Sequence, residues 1–224
     1  MSCRPLRLAL LAVVVGALAA CATTRPQRHF TPATSQQQSQ ALAAWNEARE
    51  RAASLPASRL LYDAKMGSGG APSVPGTLAV SYDGKAVTLA SLTGPFGARV
   101  AEYRDGSVTG EDREALVVDP DVLRSVLAGA WNGSPVSVEG CDSGECLVSW
   151  SAQAGRGTAV LAVVSAAVRS IKLSGSAGHL LVDYSGEASP WPARIKVQDE
   201  KSGRGLSLKL VAVEPAVATG SAKR

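Results

Sequence analysis

Residues 60–92 read LLYDAKMGSGGAPSVPGTLAVSYDGKAVTLASL, and this stretch decides the fold. Leu60, Tyr62, Ala64 and Met66 alternate with Leu61, Asp63 and Lys65. After a Gly/Pro/Ser-rich break, Leu78, Val80 and Tyr82 alternate with Thr77, Ala79 and Ser81. A period of two sends successive side chains to opposite faces of a strand, so each run can bury one face. Asp83-Gly84 then supplies hairpin chemistry and turns the chain into a third run, Lys85 to Leu92. The pattern is the start of an antiparallel meander.

Working outward, the same signals predict strands at 98–104, 114–118, 136–141, 146–152, 158–164, 168–174, 178–185, 193–199 and 205–213. Two segments keep a different period. From Gln38 to Leu55 the residues Ala41, Leu42, Trp45, Ala48, Ala52 and Leu55 recur every three or four positions, which predicts an amphipathic helix stopped at Pro56. Asp119 as N-cap, Pro120 in the first turn, apolar Val122, Leu123, Val126 and Leu127, and Gly129 after the end predict a second, short helix. About eleven or twelve short antiparallel strands with one or two covering helices make a mainly β, α+β fold: a strongly curved sheet or barrel.

Composition agrees. With 46% apolar and 19% charged residues in 224, the chain is of the globular class, and its length suits one sizeable core. The 22 Gly, 12 Pro and 4% aromatic residues disfavour a long-helix bundle. Net charge is +4, falling to +2 once Arg4 and Arg7 are set aside, and the basic residues form no stripe, so nucleic acid is not an expected partner.

Arg4 and Arg7 precede an apolar run from Leu8 to Ala17, and Leu18-Ala19-Ala20-Cys21 follows. Ten apolar residues are too few to span a ~30 Å hydrocarbon core as a helix, and the arrangement is that of an export signal. The quartet looks like a bacterial lipobox, which makes Cys21 the lipid attachment site and residues 1–20 a removed signal peptide. By resemblance to the lipoprotein sorting rule, Ala22 after the Cys directs the molecule to the outer membrane, facing the periplasm. Residues 21–35, rich in Thr, Pro, Gln and Ser, read as a flexible tether without structure before about Ser35; 36–215 is the folded domain and 216–224 a disordered tail.

Cys3 leaves with the signal, so Cys141 and Cys146 are the thiols left in an oxidising compartment. Asp142-Ser143-Gly144-Glu145 is a turn and the flanks alternate, so the two cysteines face each other across a hairpin and read as a disulfide worth about 2 kcal/mol. A metal site lacks ligands, because His29 and His179 are the only histidines. Gly140-Cys141-Asp142-Ser143-Gly144 has no His within reach to serve a nucleophile. The acid pairs Glu111/Asp112 and Asp119/Asp121 sit in a polar turn and a helix cap. Neither a P-loop nor a Rossmann glycine pattern is present. The reading is of a non-enzyme with no cofactor.

Lipobox, Trp-bearing helix, meander, second helix and further strands come in an order that resembles the lipoprotein-localisation factor family: LolB, an outer-membrane lipoprotein receptor, and its soluble relative LolA. Ser91-Leu92-Thr93-Gly94-Pro95-Phe96-Gly97 looks like that family's Leu-Thr-x-Pro-Leu-Gly loop, with Phe in place of Leu. Val126-Leu127-Ala128-Gly129 sits where the family has a short helix ending in Gly. Ile171-Lys172-Leu173, Asp183-Tyr184, Pro192 to Ile195 and Leu206 to Leu210 look like its last strands. The Cys141–Cys146 hairpin is additional to that pattern.

The resemblance implies an incompletely closed antiparallel barrel with a helical lid over an apolar cavity for acyl chains. Leu42, Trp45, Val122, Leu123, Val126 and Leu127 would form the lid, and Leu60, Tyr62, Leu78 and Val80 would line the cavity. Pro95, Phe96 and Gly97 would form a membrane or transfer loop. Partners would be membrane lipid through Cys21, acyl chains of lipoproteins or lipids, and a periplasmic LolA-like carrier, with the protein a monomer. Two alternatives stay open. Inward alternation would equally fill a solid barrel in a structural or assembly lipoprotein, and Phe96 would equally fold back over the barrel end.

Overall fold

The computed structural model describes residues 29–68, 72–104, 106–118, 120–131, 133–152, 155–175, 178–186 and 190–216. The export segment, Cys21 and the tail beyond Ala216 lie outside the described residues.

Helix α1 (Ser35–Ala53) starts three residues earlier than the apolar spacing predicts, because Thr34 caps it. The Thr34 hydroxyl accepts from the Gln37 amide at 3.3 Å, while the Gln37 side chain accepts from the Thr34 amide at 2.9 Å, so two donors of the first turn are satisfied reciprocally. Helix α2 (Pro120–Ala128) is followed by Gly129 at φ 64, the left-handed residue that ends it; the predicted N-cap, Asp119, lies outside the described residues.

Among the described residues twelve strands form one sheet: β1 (Ser58–Ser68), β2 (Val74–Tyr82), β3 (Val87–Thr93), β4 (Arg99–Arg104), β5 (Ser107–Thr109), β6 (Ser134–Asp142), β7 (Glu145–Ala152), β8 (Gly155–Ala162), β9 (Ala167–Gly175), β10 (Gly178–Ser185), β11 (Arg194–Asp199) and β12 (Arg204–Pro215). Their order is β5-β4-β3-β2-β1-β12-β11-β10-β9-β8-β7-β6, every pairing is antiparallel, and the edge strands β5 and β6 are not bonded to each other. Two meanders thus meet where the first strand pairs with the last, and the sheet is an open barrel.

The chain must travel from one edge to the other between β5 and β6. The connection carries a 3-10 turn (Arg113–Leu116) and α2, whose apolar face joins the concave side of the sheet in one core. The 3-10 turn replaces the strand expected at 114–118: Ala115, Leu116 and Val118 are buried as an apolar run should be, but in a turn, and the three-residue β5 ahead of it supplies the missing strand. The expectation of no structure before Ser35 also gives way. Thr31 bridges Cys141 on the β6 edge, its amide and carbonyl both bonded to Cys141, at 3.3 and 2.8 Å. Among the described residues no helix is long and apolar enough to cross a membrane.

Candidate functional site

The concave face is built by the period-two positions. Leu60, Tyr62, Leu78 and Val80, expected to line a cavity, are buried there, joined by Leu92, Val148, Ile171, Leu173, Val182, Val197 and Leu206. The helices lie across this face, α1 against β6, β8 and β9 and α2 against β3. Trp45 of α1 and Val122, Leu123, Val126 and Leu127 of α2 are all buried in the same core. Leu42 is the exception at 37% exposure. It is set about a quarter turn off the Ala41-Ala44-Trp45-Ala48 stripe that faces the sheet, so the lid is narrower than the spacing suggested.

The interior is filled by aromatic rings. Trp150 of β7 lies 6.4 Å from Trp45 and 5.4 Å from Trp131, centroid to centroid, and Trp191 meets Tyr82 edge-on at 5.3 Å. The Arg124 guanidinium, on α2, sits 5.9 Å over the Tyr82 ring. The Trp45, Trp150 and Trp191 indole N–H groups and the Tyr62 and Tyr82 hydroxyls are buried without a hydrogen-bond partner. Burial therefore pushes the Tyr62 and Tyr184 hydroxyls well above the ordinary tyrosine range; the nearby Trp131 indole offsets this only in part for Tyr184.

Openings sit at the barrel ends. A cavity of about 110 Å³ lies under the C-terminal half of α1, lined by Ala48, Ala52, Gly129, Ala166, Tyr184 and Pro192 among others. At the opposite end, cavities of about 450 and 340 Å³ flank Arg204. Arg204 Nη1 donates to both Asp112 carboxylate oxygens, at 3.0 and 2.8 Å, and Nη2 lies 3.4 Å from Glu114, tying the start of β12 to the edge-to-edge connection. Next to it Val117 has φ 61, a left-handed conformation costly for a β-branched residue. This latch was not predicted, since 92 residues separate Asp112 from Arg204.

The Pro95-Phe96-Gly97 turn lies at that same end, between β3 and β4. It is closed by its own backbone, Gly94 donating to Ala98 at 2.7 Å and Gly97 to Gly94 at 3.3 Å. Phe96 adopts φ 60, ψ 20 and its side chain is fully exposed, outside the core.

Cys141 and Cys146 are disulfide-bonded, directly opposite in the β6–β7 ladder with Cα atoms 4.1 Å apart. Among the described residues no cluster of three or more His, Cys, Asp or Glu could hold a metal ion.

No family model matches this sequence, and no curated protein matches it. Solved structures do. A LolA superfamily protein from Nitrosomonas europaea superposes over 77% of this chain and 94% of its own, with a TM-score of 0.53 at 10% identity. A candidate outer membrane lipoprotein-sorting protein domain from Vibrio parahaemolyticus covers 80% and 94% at 7% identity, and a DUF1329 family protein from Desulfovibrio piger 79% and 93% at 10%, both with a TM-score of 0.46. The fold of this chain, an open antiparallel barrel whose two helices cross the concave face, is thus similar to that of the LolA superfamily protein, as the resemblance in the sequence implied.

Proposed function

We propose that this chain is a lipoprotein of the bacterial envelope, anchored through Cys21 to the periplasmic side of the outer membrane, that accepts acyl chains between its concave sheet and helical lid and hands them to a bilayer. It acts by binding, not by catalysis, as a monomer, and takes its cargo from a periplasmic LolA-like carrier. The observation that carries this reading is the pairing of an apolar, lid-covered concave face with a fully exposed Phe96 held outward at one barrel end. Lipid chains in water need a dry concave surface, and about ten buried methylenes contribute roughly 8 kcal/mol before ordering costs. Because the Trp45–Trp150–Trp131 group fills the interior, binding requires the lid to move, and the cavities beside Arg204 support entry of a chain at that end.

The filled interior also favours a second reading, a structural or assembly lipoprotein that keeps the fold without carrying lipid. Titration with a long-chain fatty acid, read by tryptophan fluorescence and native mass spectrometry, separates the two. Saturable binding with a spectral change from the buried indoles supports the carrier. A protein that takes up no acyl ligand and whose indoles never respond supports the second reading.

A further inference from the structure

The outer face of the barrel carries a groove that acyl binding does not use. It encloses about 690 Å³ over β2, β1, β12, β11 and β10, and its lining includes four exposed cations, Lys65, Arg194, Lys196 and Lys209, against two carboxylates, Asp63 and Asp183. Strand register explains the shape. Lys65 and Lys196 stand on either side of Ser207, whose short side chain leaves a floor between two long ones. Asp63 faces Lys209 and Asp183 faces Lys196 across the ladders, so four cations stand against two carboxylates and the groove is basic on balance.

A row of paired residues leads from this groove to the Phe96 turn. The register row Arg194, Lys209, Asp63, Thr77, Thr93 and Arg99 crosses six neighbouring strands, and the turn leaves the sheet between the last two of these residues. The N-terminal segment constrains the orientation further. It docks through Thr31 on Cys141, near the end of β6 opposite to the Phe96 end. Ten residues separate Thr31 from Cys21, a reach of about 36 Å at full extension, little more than one nine-residue strand at about 3.3 Å per residue. A molecule anchored at one end and inserting Phe96 at the other has little slack to stand upright, and the outer face joined to the turn by that register row is the basic one.

We infer that this outer face is a docking surface for an anionic phospholipid bilayer, on which Lys65, Arg194, Lys196 and Lys209 meet lipid phosphates while Phe96 enters beside them. The inference rests on the membrane-engaging reading of Phe96 for its orientation, but its own signature is a dependence on lipid charge. Basic residues at an anionic surface each contribute about fivefold in binding, and salt screens the effect beyond about 8 Å at physiological strength.

The test uses the full chain reconstituted through its own anchor into vesicles of phosphatidylcholine, alone or mixed with phosphatidylglycerol. A water-soluble amine-acylating reagent then maps lysine exposure, with Lys85 and Lys172 as internal references. Lys65, Lys196 and Lys209 are expected to be labelled about fivefold more slowly on the anionic vesicles, with the references unchanged and the difference erased by high salt. In Arg194→Gln the protection of Lys65 and Lys209 should shrink without loss of folding, since Arg194 is exposed. Equal labelling of the three lysines on both vesicle types, or protection that extends equally to Lys85 and Lys172, overturns the inference. Phe96→Glu keeps the two proposals separate: if only insertion by Phe96 fails, the charge-dependent lysine protection persists.

Discussion

Phe96 is the residue where local conformation and side-chain chemistry disagree most. A phenyl ring in the left-handed region, fully in water, costs roughly 1–2 kcal/mol of backbone strain and gains nothing from burial. Phe96→Glu should therefore leave the thermal midpoint within the range of about 0.5 kcal/mol typical of surface changes, while delivery of acyl ligand to vesicles is lost. A large fall in midpoint would show instead that the ring plugs the barrel. Cys141→Ser should cost about 2 kcal/mol or less in urea unfolding, because the closed loop is short. Acid sensitivity has local sources as well. Asp83 accepts from the Ala86 and Lys85 amides, both at 2.7 Å, and Asp199 accepts from the Ser202 hydroxyl, also at 2.7 Å, and from the Lys201 amide; these bonds hold both carboxyls below the usual range. A depressed folded pKa gives stability that is complete above the unfolded value of about 3.9 and is lost as pH falls through the folded one, so the midpoint should stay flat down to about pH 5 and drop below about pH 4. At this scale the disulfide was legible, since a four-residue turn forces its flanks to face each other. The aim of Phe96 was not: Gly-Pro-x-Gly specifies a bend without saying where the ring goes. Leu42 shows the reverse error, an apolar residue counted into a stripe that passes a quarter turn away from it.

Among elements, the periodic ones were readable and the short ones were not. Eleven of the twelve strands follow from alternation and turn chemistry, whereas β5 has three residues and no pattern to detect, and the buried run Ala115-Leu116 belongs to a 3-10 turn because the chain is leaving the sheet there rather than crossing it. The connection that follows is held by Arg204 on Asp112, a pair partly open to solvent, so Asp112→Ala should lower stability in urea by only about 1 kcal/mol. Its larger effect should be on protection: amide exchange in 113–118 should rise more than exchange in β12. The docking of the N-terminal segment is sensitive to a single methyl. A Cβ on Gly140 would stand 2.5 Å from the Thr31 carbonyl oxygen and 3.0 Å from the Phe30 Cβ, so Gly140→Ala should lift this segment from β6. Limited proteolysis ahead of α1 is expected to accelerate while cleavage elsewhere is unchanged; an unaltered rate would mean that the contact at Thr31 holds nothing down.

At the scale of the whole molecule the lid and the barrel share one core, and Trp150 is its hub between Trp45 of the lid and Trp131 behind α2. Trp150→Ala should destabilise by about 3–5 kcal/mol, measured by denaturant unfolding. The architecture of a curved sheet under helices was legible because alternation fixes which faces are apolar. Whether that interior is hollow was not, since the same inward residues line a cavity or fill it according to how deeply the helices settle. The sheet's two unpaired edges carry a different consequence. β5 offers only three residues, and β6 carries Pro135, two breaks in its register with β7, and Thr31 laid over its far end. Proteins tethered to one face of a membrane share a thin layer in which their mutual concentration far exceeds that in bulk, and there a long open edge would recruit a neighbour's strand. Both edges are blunted here, so a chain held at a membrane face by the proposed Cys21 anchor could crowd there at high lateral density without polymerising.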